Sequence, residues 1–443
     1  MRSPTPTATR RGRHDREIFA LTLPAFGALI AEPLFLMADS AIVGHLGTAQ
    51  LAGLGISAAL LTTLVNVFVF LAYATTAAVA RRVGAGDRRA AVQQGIDGIW
   101  LALFLSVPIV AAAITLAPAL CDLFGASATA APYAITYLRI SALGIPAMLG
   151  VLAATGVLRG LQDTRTPLLV AVTGFSVNLL LNLALVYGAG LGIAGSATGT
   201  VLAQWGMGAA YLTVVIRGAR RTGAGLRPDP AGIRACATAG VPLLVRTLSL
   251  RAVLLIATGV AARLGNTEIA AHQVAMSLWS FLAFALDAIA IAGQAIIGRY
   301  LGAGDAAGAR AATRRMVEWG VGAGVVLGAL LLLARPLYLP LFTEDPAVRH
   351  QLDSVLLVAA LSEPVCGVVF VLDGVLMGAG DGPYLAWAML ATLAVYAPVA
   401  LTVGSTGLVA LWIAIDLCMA VRLVFLCVRA RTGAWLVTGA VRA

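Results

Sequence analysis

Apolar stretches of about 20 residues recur along the whole chain, separated by short segments where the charges collect. A helix of that length matches the hydrocarbon thickness of a bilayer. Twelve such spans are predicted. In the first half they lie at roughly 17–43, 51–80, 91–118, 131–158, 167–188 and 192–216. In the second half they lie at roughly 233–262, 268–297, 314–335, 349–377, 384–403 and 407–428. Each must be helical, because lipid gives a backbone N–H or C=O no partner. No polar stretch is long enough to fold alone.

The pattern also repeats. Adding 218 to a residue number in the first half lands on a matching residue in the second, with no gap from Pro24 to Asp163. Pro24 lands on Pro242 and Pro146 on Pro364. The run Arg81-Arg82-Val83-Gly84-Ala85-Gly86-Asp87 lands on Arg299-Tyr300-Leu301-Gly302-Ala303-Gly304-Asp305. Gly156, Gly160 and Asp163 land on Gly374, Gly378 and Asp381. A repeat of six spans is even, so the second copy enters the membrane in the same orientation as the first. The expected fold is an all-α integral membrane protein, its twelve helices forming two pseudo-symmetric six-helix bundles with a central cleft. The expected parts are a tail at 1–16, a first bundle at 17–217, a linker at 218–232, a second bundle at 233–430 and a tail at 431–443. Rocking of two such bundles would open the cleft to either side in turn.

Composition agrees. The chain is 60% hydrophobic and 11% charged, with a mean hydropathy of +0.93, against roughly 25% charged in a soluble domain. The net charge of +10 is no nucleic-acid signature here, since the arginines collect mostly in alternate loops, with Arg263, Arg335 and Arg349 as exceptions. Arg2, Arg10, Arg11, Arg13 and Arg16 precede span one, and Arg81, Arg82, Arg88 and Arg89 follow span two. Further groups follow spans four, six, eight and twelve. The positive-inside rule then puts both termini in the cytoplasm of a multi-pass protein of the cell membrane. The five cysteines show no CxxC spacing, so no zinc or redox site is expected. The Gly-Ala-Gly-Asp runs lack the lysine of a Walker loop. Without a zinc motif, a Ser/His/Asp arrangement or a cofactor fingerprint, the chain reads as neither an enzyme nor a cofactor protein.

Ionisable residues inside spans are costly, roughly 3 kcal/mol on insertion scales, so they stand out. Asp39 lies well inside span one, and its counterpart at 257 is alanine. The fold therefore does not need a carboxylate there. Burial disfavours the charged form, which makes Asp39 a candidate proton carrier as well as a candidate structural carboxylate capped by neighbours. Glu32 lies two helical turns earlier with Pro33 between, and a proline inside a helix permits a kink. The second bundle carries Arg246, Arg251, Asp287, Glu363, Asp373 and Asp416 in or near spans. Buried charges pair, so Arg246 or Arg251 is expected to meet Asp287, Glu363 or Asp373, for structure or for coupling. Gln273, Ser277, Ser280, Asp287 and Gln294 form one polar stripe on span eight, facing either a cleft or its own bundle. Asn66 and Tyr73 are further cleft candidates.

Pro24 followed by Met37-Ala38-Asp39-Ser40-Ala41-Ile42-Val43-Gly44-His45-Leu46-Gly47 resembles the first helix of the MATE (multidrug and toxic compound extrusion) transporters, closest to their DinF-like branch. Leu372-Asp373-Gly374-Val375-Leu376-Met377-Gly378-Ala379-Gly380-Asp381 looks like that branch's tenth helix. The resemblance covers essentially the whole chain. It implies a secondary antiporter that exports amphipathic or cationic organic compounds in exchange for protons or sodium. A monomer in the bilayer suffices for that mechanism. The resemblance also implies a polar pocket around Asp39, with Asn178 and Asn182 from helix five, Tyr137 from helix four and Thr200 from helix six. The asparagines are spaced i, i+4, on one face. Many relatives carry an aspartate where Asn182 stands. One carboxylate instead of two favours a proton relay over a sodium cage, since hard cations prefer anionic oxygens. A lipid-linked intermediate flippase of the same duplicated plan is the alternative; it should line its cleft with several unpaired arginines, and here only Arg246 and Arg251 are mid-span candidates. If protonation of Asp39 changes the bend of span one, Pro33→Ala should slow transport while Asp39 remains in place. Unchanged transport rates in that variant would refute the hinge.

Overall fold

The structure is a computed structural model, and it describes residues 6–403 and 406–441. Arg2 lies outside the described residues. The first half comprises α1 (Pro6–Gly44), α2 (Thr48–Phe68), α3 (Phe70–Gly84), α4 (Arg88–Thr115), α5 (Ala117–Leu123), α6 (Ala131–Ala142), α7 (Ile145–Gly160), α8 (Arg165–Leu183) and α9 (Gly192–Thr222). The second comprises α10 (Pro230–Leu264), α11 (Asn266–Gly302), α12 (Ala306–Leu333), α13 (Arg335–Phe342), α14 (Pro346–Gly378), α15 (Gly382–Val403) and α16 (Leu408–Thr432). A π-turn, Ala184–Gly188, extends α8. Among the described residues, 11 helices are long and apolar enough to cross a membrane, and the number is 12 when the bent pair α6–α7 is taken as one span.

That pair corrects one sequence expectation. The single span read at 131–158 is two helices meeting at 53°. Leu143 closes α6, Gly144 opens α7, and Pro146 in the first turn of α7 has no N–H to continue the ladder. Its counterpart Pro364 sits inside unbroken α14, so the repeat is exact in sequence position but not in helix geometry. Elsewhere the repeat is reproduced closely. Asp87 accepts a hydrogen bond from the Ala90 N–H at 2.8 Å and caps α4. Asp305 accepts one from the Gly308 N–H at 2.7 Å and caps α12.

The chain divides into two compact units. One is Gly27–Gly240. In it α7 packs against α3, α4 and α9, α2 against α6, and α8 against α9. The other is Val241–Ala443 together with Met1–Phe26. In it α14 packs against α11, α12 and α16, the same relation that α7 has to its neighbours, and α14 is the most buried of the described spans. The first part of α1 joins this second unit through charge. Arg315 holds Asp15, with Nη2 2.9 Å from Oδ2, and Trp319 Nε1 donates to Asp15 Oδ1 at 2.9 Å. Arg299 pairs with Glu17. Residues 1–16, read from sequence as a tail, are helical from Pro6, and α9 and α10 leave 223–229 between them where a linker was expected at 218–232.

Small residues set the closest helix approach. Gly320, Gly324 and Gly328 recur every fourth residue along α12 and face the α14 backbone. A Cβ on Gly324 would fall 2.4 Å from the Glu363 carbonyl oxygen and 2.7 Å from Pro364 Cα. Backbone atoms cannot swing aside, so such contacts permit only glycine, the usual device for close packing where lipid removes the hydrophobic drive. Gly322 on the same helix has open space around its Cβ direction. Gly324→Ala should therefore cost about 1–3 kcal/mol by overpacking, while Gly322→Ala should be neutral or slightly stabilising. Thermal unfolding of the two variants in detergent checks this; equal midpoints would contradict it.

Candidate functional site

Asp39 lies in the unit Gly27–Gly240, five residues before the end of α1, and is only 3% exposed. Three side chains donate to its carboxylate. Asn182 Nδ2 reaches Oδ1 at 2.7 Å, Ser196 Oγ reaches Oδ1 at 2.8 Å, and the Tyr137 hydroxyl reaches Oδ2 at 3.3 Å. Hydrogen bonds to a charged group contribute about 1.5–3 kcal/mol each. Three together offset an effective burial penalty of several kcal/mol per ion.

The donors come from three helices, and local packing brings them there. Ser196 lies on α9, which approaches the end of α8 at Gly199; a Cβ there would fall 2.2 Å from Asn182 Oδ1. Tyr187, in the π-turn after α8, donates from its hydroxyl to the Ile42 carbonyl at 2.7 Å and so ties down the end of α1. Asn178 is one turn from Asn182, and Thr200 is one turn from Ser196 and beside the Tyr137 hydroxyl. Both are buried, but neither bonds Asp39. Among the described residues, the side-chain oxygens of Asn178 and Asn182 accept no hydrogen bond.

Sequence reasoning passed over Ser196. The available signal was its i, i+4 relation to Thr200 on the same helix face. Glu32 is exposed on α1 and is not brought into the cluster. The positions displaced by 218 from this site are Ala257, Val355, Tyr396 and Ala400, exposed by 0%, 0%, 1% and 0%. None of these four buried positions carries a carboxylate, and Ala257, Val355 and Ala400 are aliphatic.

The second unit has its own buried polar cluster, elsewhere in its repeat. Arg246 of α10 grips Asp373 of α14 through Nε at 3.2 Å and through Nη2. Arg422 of α16, which sequence reasoning also missed, reaches the same carboxylate at 3.4 Å. Two buried guanidinium groups therefore share one carboxylate. Glu363, 1% exposed, lies on α14 near Asp416, and its Oε2 has no partner among the described residues. Arg251 and Asp287 belong to the same unit but not to the Asp373 ion pairs. The stripe on α11 changes environment along its length: Gln273 and Ser277 are exposed, Asp287 half-buried, and Gln294 buried with its amide 3.9 Å from Met377 Sδ. Asn66 donates to the Thr62 carbonyl of its own helix at 2.8 Å.

Among the described residues no group of three or more His, Cys, Asp or Glu could hold a metal ion. The arrangement offers one isolated, donor-satisfied carboxylate in one unit and a net-cationic ion-pair cluster in the other. Asp373→Asn would leave two buried arginines without a counter-charge. It should cost about 3–5 kcal/mol of stability, more than Arg246→Met, which leaves Asp373 with Arg422. Unfolding of both variants tests the order; the reverse order would refute this reading of the cluster.

Comparison with known proteins accords with this architecture. The MatE family model matches residues 24–184 and again residues 242–402, and the two matches are displaced by the same 218 residues as the internal repeat. Protein DETOXIFICATION 44, chloroplastic, of Arabidopsis thaliana is 32% identical over 448 residues, spanning 96% of this chain and 84% of that protein. DNA damage-inducible protein F of Escherichia coli is 28% identical over 421 residues, spanning 92% and 90%. The crystal structure of the Vibrio cholerae MATE transporter VcmN in the bent form superposes with a TM-score of 0.87 at 21% identity, covering 96% of this chain and 99% of that one. With the repeat, the helices and two family-model matches displaced by the same 218 residues, this chain belongs to the MATE family of membrane transporters.

Proposed function

We propose that this transporter is a proton-coupled antiporter that exports amphipathic or cationic organic compounds, with Asp39 as the coupling carboxylate. The observation that carries the reading is an asymmetry. Asp39 sits among three donors, while the matching position in the second repeat is the buried Ala257. A fold that packs well without a carboxylate retains one at a burial cost, and such residues mark ion pathways in membrane proteins.

The ring of donors supports protons over sodium. Asn182, Ser196 and Tyr137 all point N–H or O–H groups at the carboxylate. These groups stabilise a bare anion and must be displaced by a metal cation, which would find one anionic ligand only. Protonation removes the charge the donors address and loosens α1 from α6, α8 and α9 at once. Asn178, Asn182, Tyr137 and Thr200 then act as the shell that sets when Asp39 takes or releases its proton.

In this reading the protein is a monomer in the cell membrane with both termini cytoplasmic, and its two six-helix bundles alternate by rocking. The lipid-linked flippase reading has less support. Its pyrophosphate-binding arginines would have to include Arg246 and Arg422, and both are engaged by Asp373. Glu32, Asn66, Gln273, Asp287, Glu363 and Arg251 stay secondary candidates for substrate contact or coupling.

The test is uptake of a fluorescent organic cation into proteoliposomes acidified inside, with wild type beside Asp39→Asn. Wild-type uptake should follow the pH gradient and collapse with a protonophore, and Asp39→Asn should lower it to the protein-free rate. Uptake driven only by a sodium gradient would overturn proton coupling. Full activity in Asp39→Asn would remove Asp39 from the mechanism.

A further inference from the structure

Outside the polar clusters, the unit Val241–Ala443 holds a cavity of about 680 Å³ lined by α12, α14, α16 and Trp435, with arginines contributed by α12 and α16. Its mouth carries Arg310, Arg314 and Arg431, all exposed. Its wall is apolar, with Val317, Val368 and Leu372 reaching toward the membrane interior. Trp435 also lines the cavity; it is 1% exposed and donates from Nε1 to the Ala430 carbonyl at 3.0 Å. The residues after α16 are held there as well, since the Gly439 N–H donates to the Leu301 carbonyl at 3.0 Å. The acidic residue on the rim, Glu318, pairs with Arg315. Among the described residues none of the three mouth arginines has an ion-pair partner.

Arginines at helix ends are by themselves ordinary topology determinants. Three of them with no ion-pair partner among the described residues, at the mouth of an apolar trench, are more than topology requires. The pairing of charge above and apolar wall below matches a molecule with an anionic head and hydrocarbon tails. Basic pockets between membrane helices recognise anionic headgroups in this way. We infer that this groove is a binding site for an anionic phospholipid, with the headgroup phosphate held by Arg310, Arg314 and Arg431 and an acyl chain along Val317, Val368 and Leu372.

The first repeat supplies an internal comparison. A smaller cavity of about 410 Å³ lies among Val92, Leu158, Val214, Arg217 and Arg221, with Asp163 on its rim. Position 92 there is the counterpart of Arg310. With two arginines facing one aspartate, the first groove should hold an anionic headgroup more weakly than the second.

Native mass spectrometry of the delipidated full chain tests the inference. The probes are a dioleoyl phosphatidylglycerol, a phosphatidylcholine with the same chains, and soluble glycerol phosphate. Wild type should retain phosphatidylglycerol over phosphatidylcholine and should not retain glycerol phosphate. Replacing all three mouth arginines by glutamine should weaken retention roughly a hundredfold, at about fivefold per arginine; replacing them by lysine should largely preserve it. Val321→Trp, one turn beyond Val317 on the trench wall, should weaken retention with every charge in place, and it decides the matter if the glutamine variant fails to fold. Arg217→Gln with Arg221→Gln should leave the tightest binding unchanged. Equal retention of phosphatidylcholine, binding of glycerol phosphate alone, or wild-type retention in the glutamine and tryptophan variants would overturn the site.

Discussion

Hydrocarbon offers no hydrogen-bond partner, and every feature of this protein answers that constraint. The backbone answers it with helices. Isolated hydroxyls answer it by returning to their own helix: Thr75 to the Leu71 carbonyl, Thr76 to Ala72, Thr247 to Leu243 and Thr392 to Ala388. Groups that cannot be satisfied locally are gathered into clusters, and the two most developed are centred on carboxylates. Asp39 collects neutral donors from three helices, and Asp373 collects two guanidinium groups from two helices. The first remains a charge that a proton can cancel; the second is already cancelled by its neighbours.

The duplicated architecture separates what the fold needs from what the chemistry needs. α7 and α14 hold equivalent places in their units, and the caps Asp87 and Asp305 are the same device used twice. These shared parts are structural. The polar clusters do not repeat: Ala257 replaces Asp39, and Thr155 stands where the second half has Asp373. Each half serves as a control for the other, and the residues in which the halves differ are those the shared fold does not require.

α1 has a part in both units. It is one continuous helix, its residues to Phe26 belonging with Val241–Ala443 and the rest with Gly27–Gly240. Asp15 and Glu17 fasten its first part through arginines, and Asp39 lies 24 residues after Asp15 in the sequence.

The sequence by itself determined the membrane class, the number of spans, the repeat and the candidacy of Asp39. Each depends on a property that acts residue by residue: lipid selects for hydropathy along the chain, and an ionisable group in an apolar span stands out wherever it finally points. Tertiary structure alone decided which polar groups meet. Ser196 looks like any membrane-helix serine until Gly199 brings α9 against α8. Arg422 reads as one more arginine near a helix end until α16 places it on Asp373. Glu32 shares a helix with Asp39 yet stays outside its cluster, because proximity along one face does not specify which neighbour that face packs against. The break between α6 and α7 and the allotment of α1 to two units depend likewise on contacts between distant segments, and no local pattern encodes those.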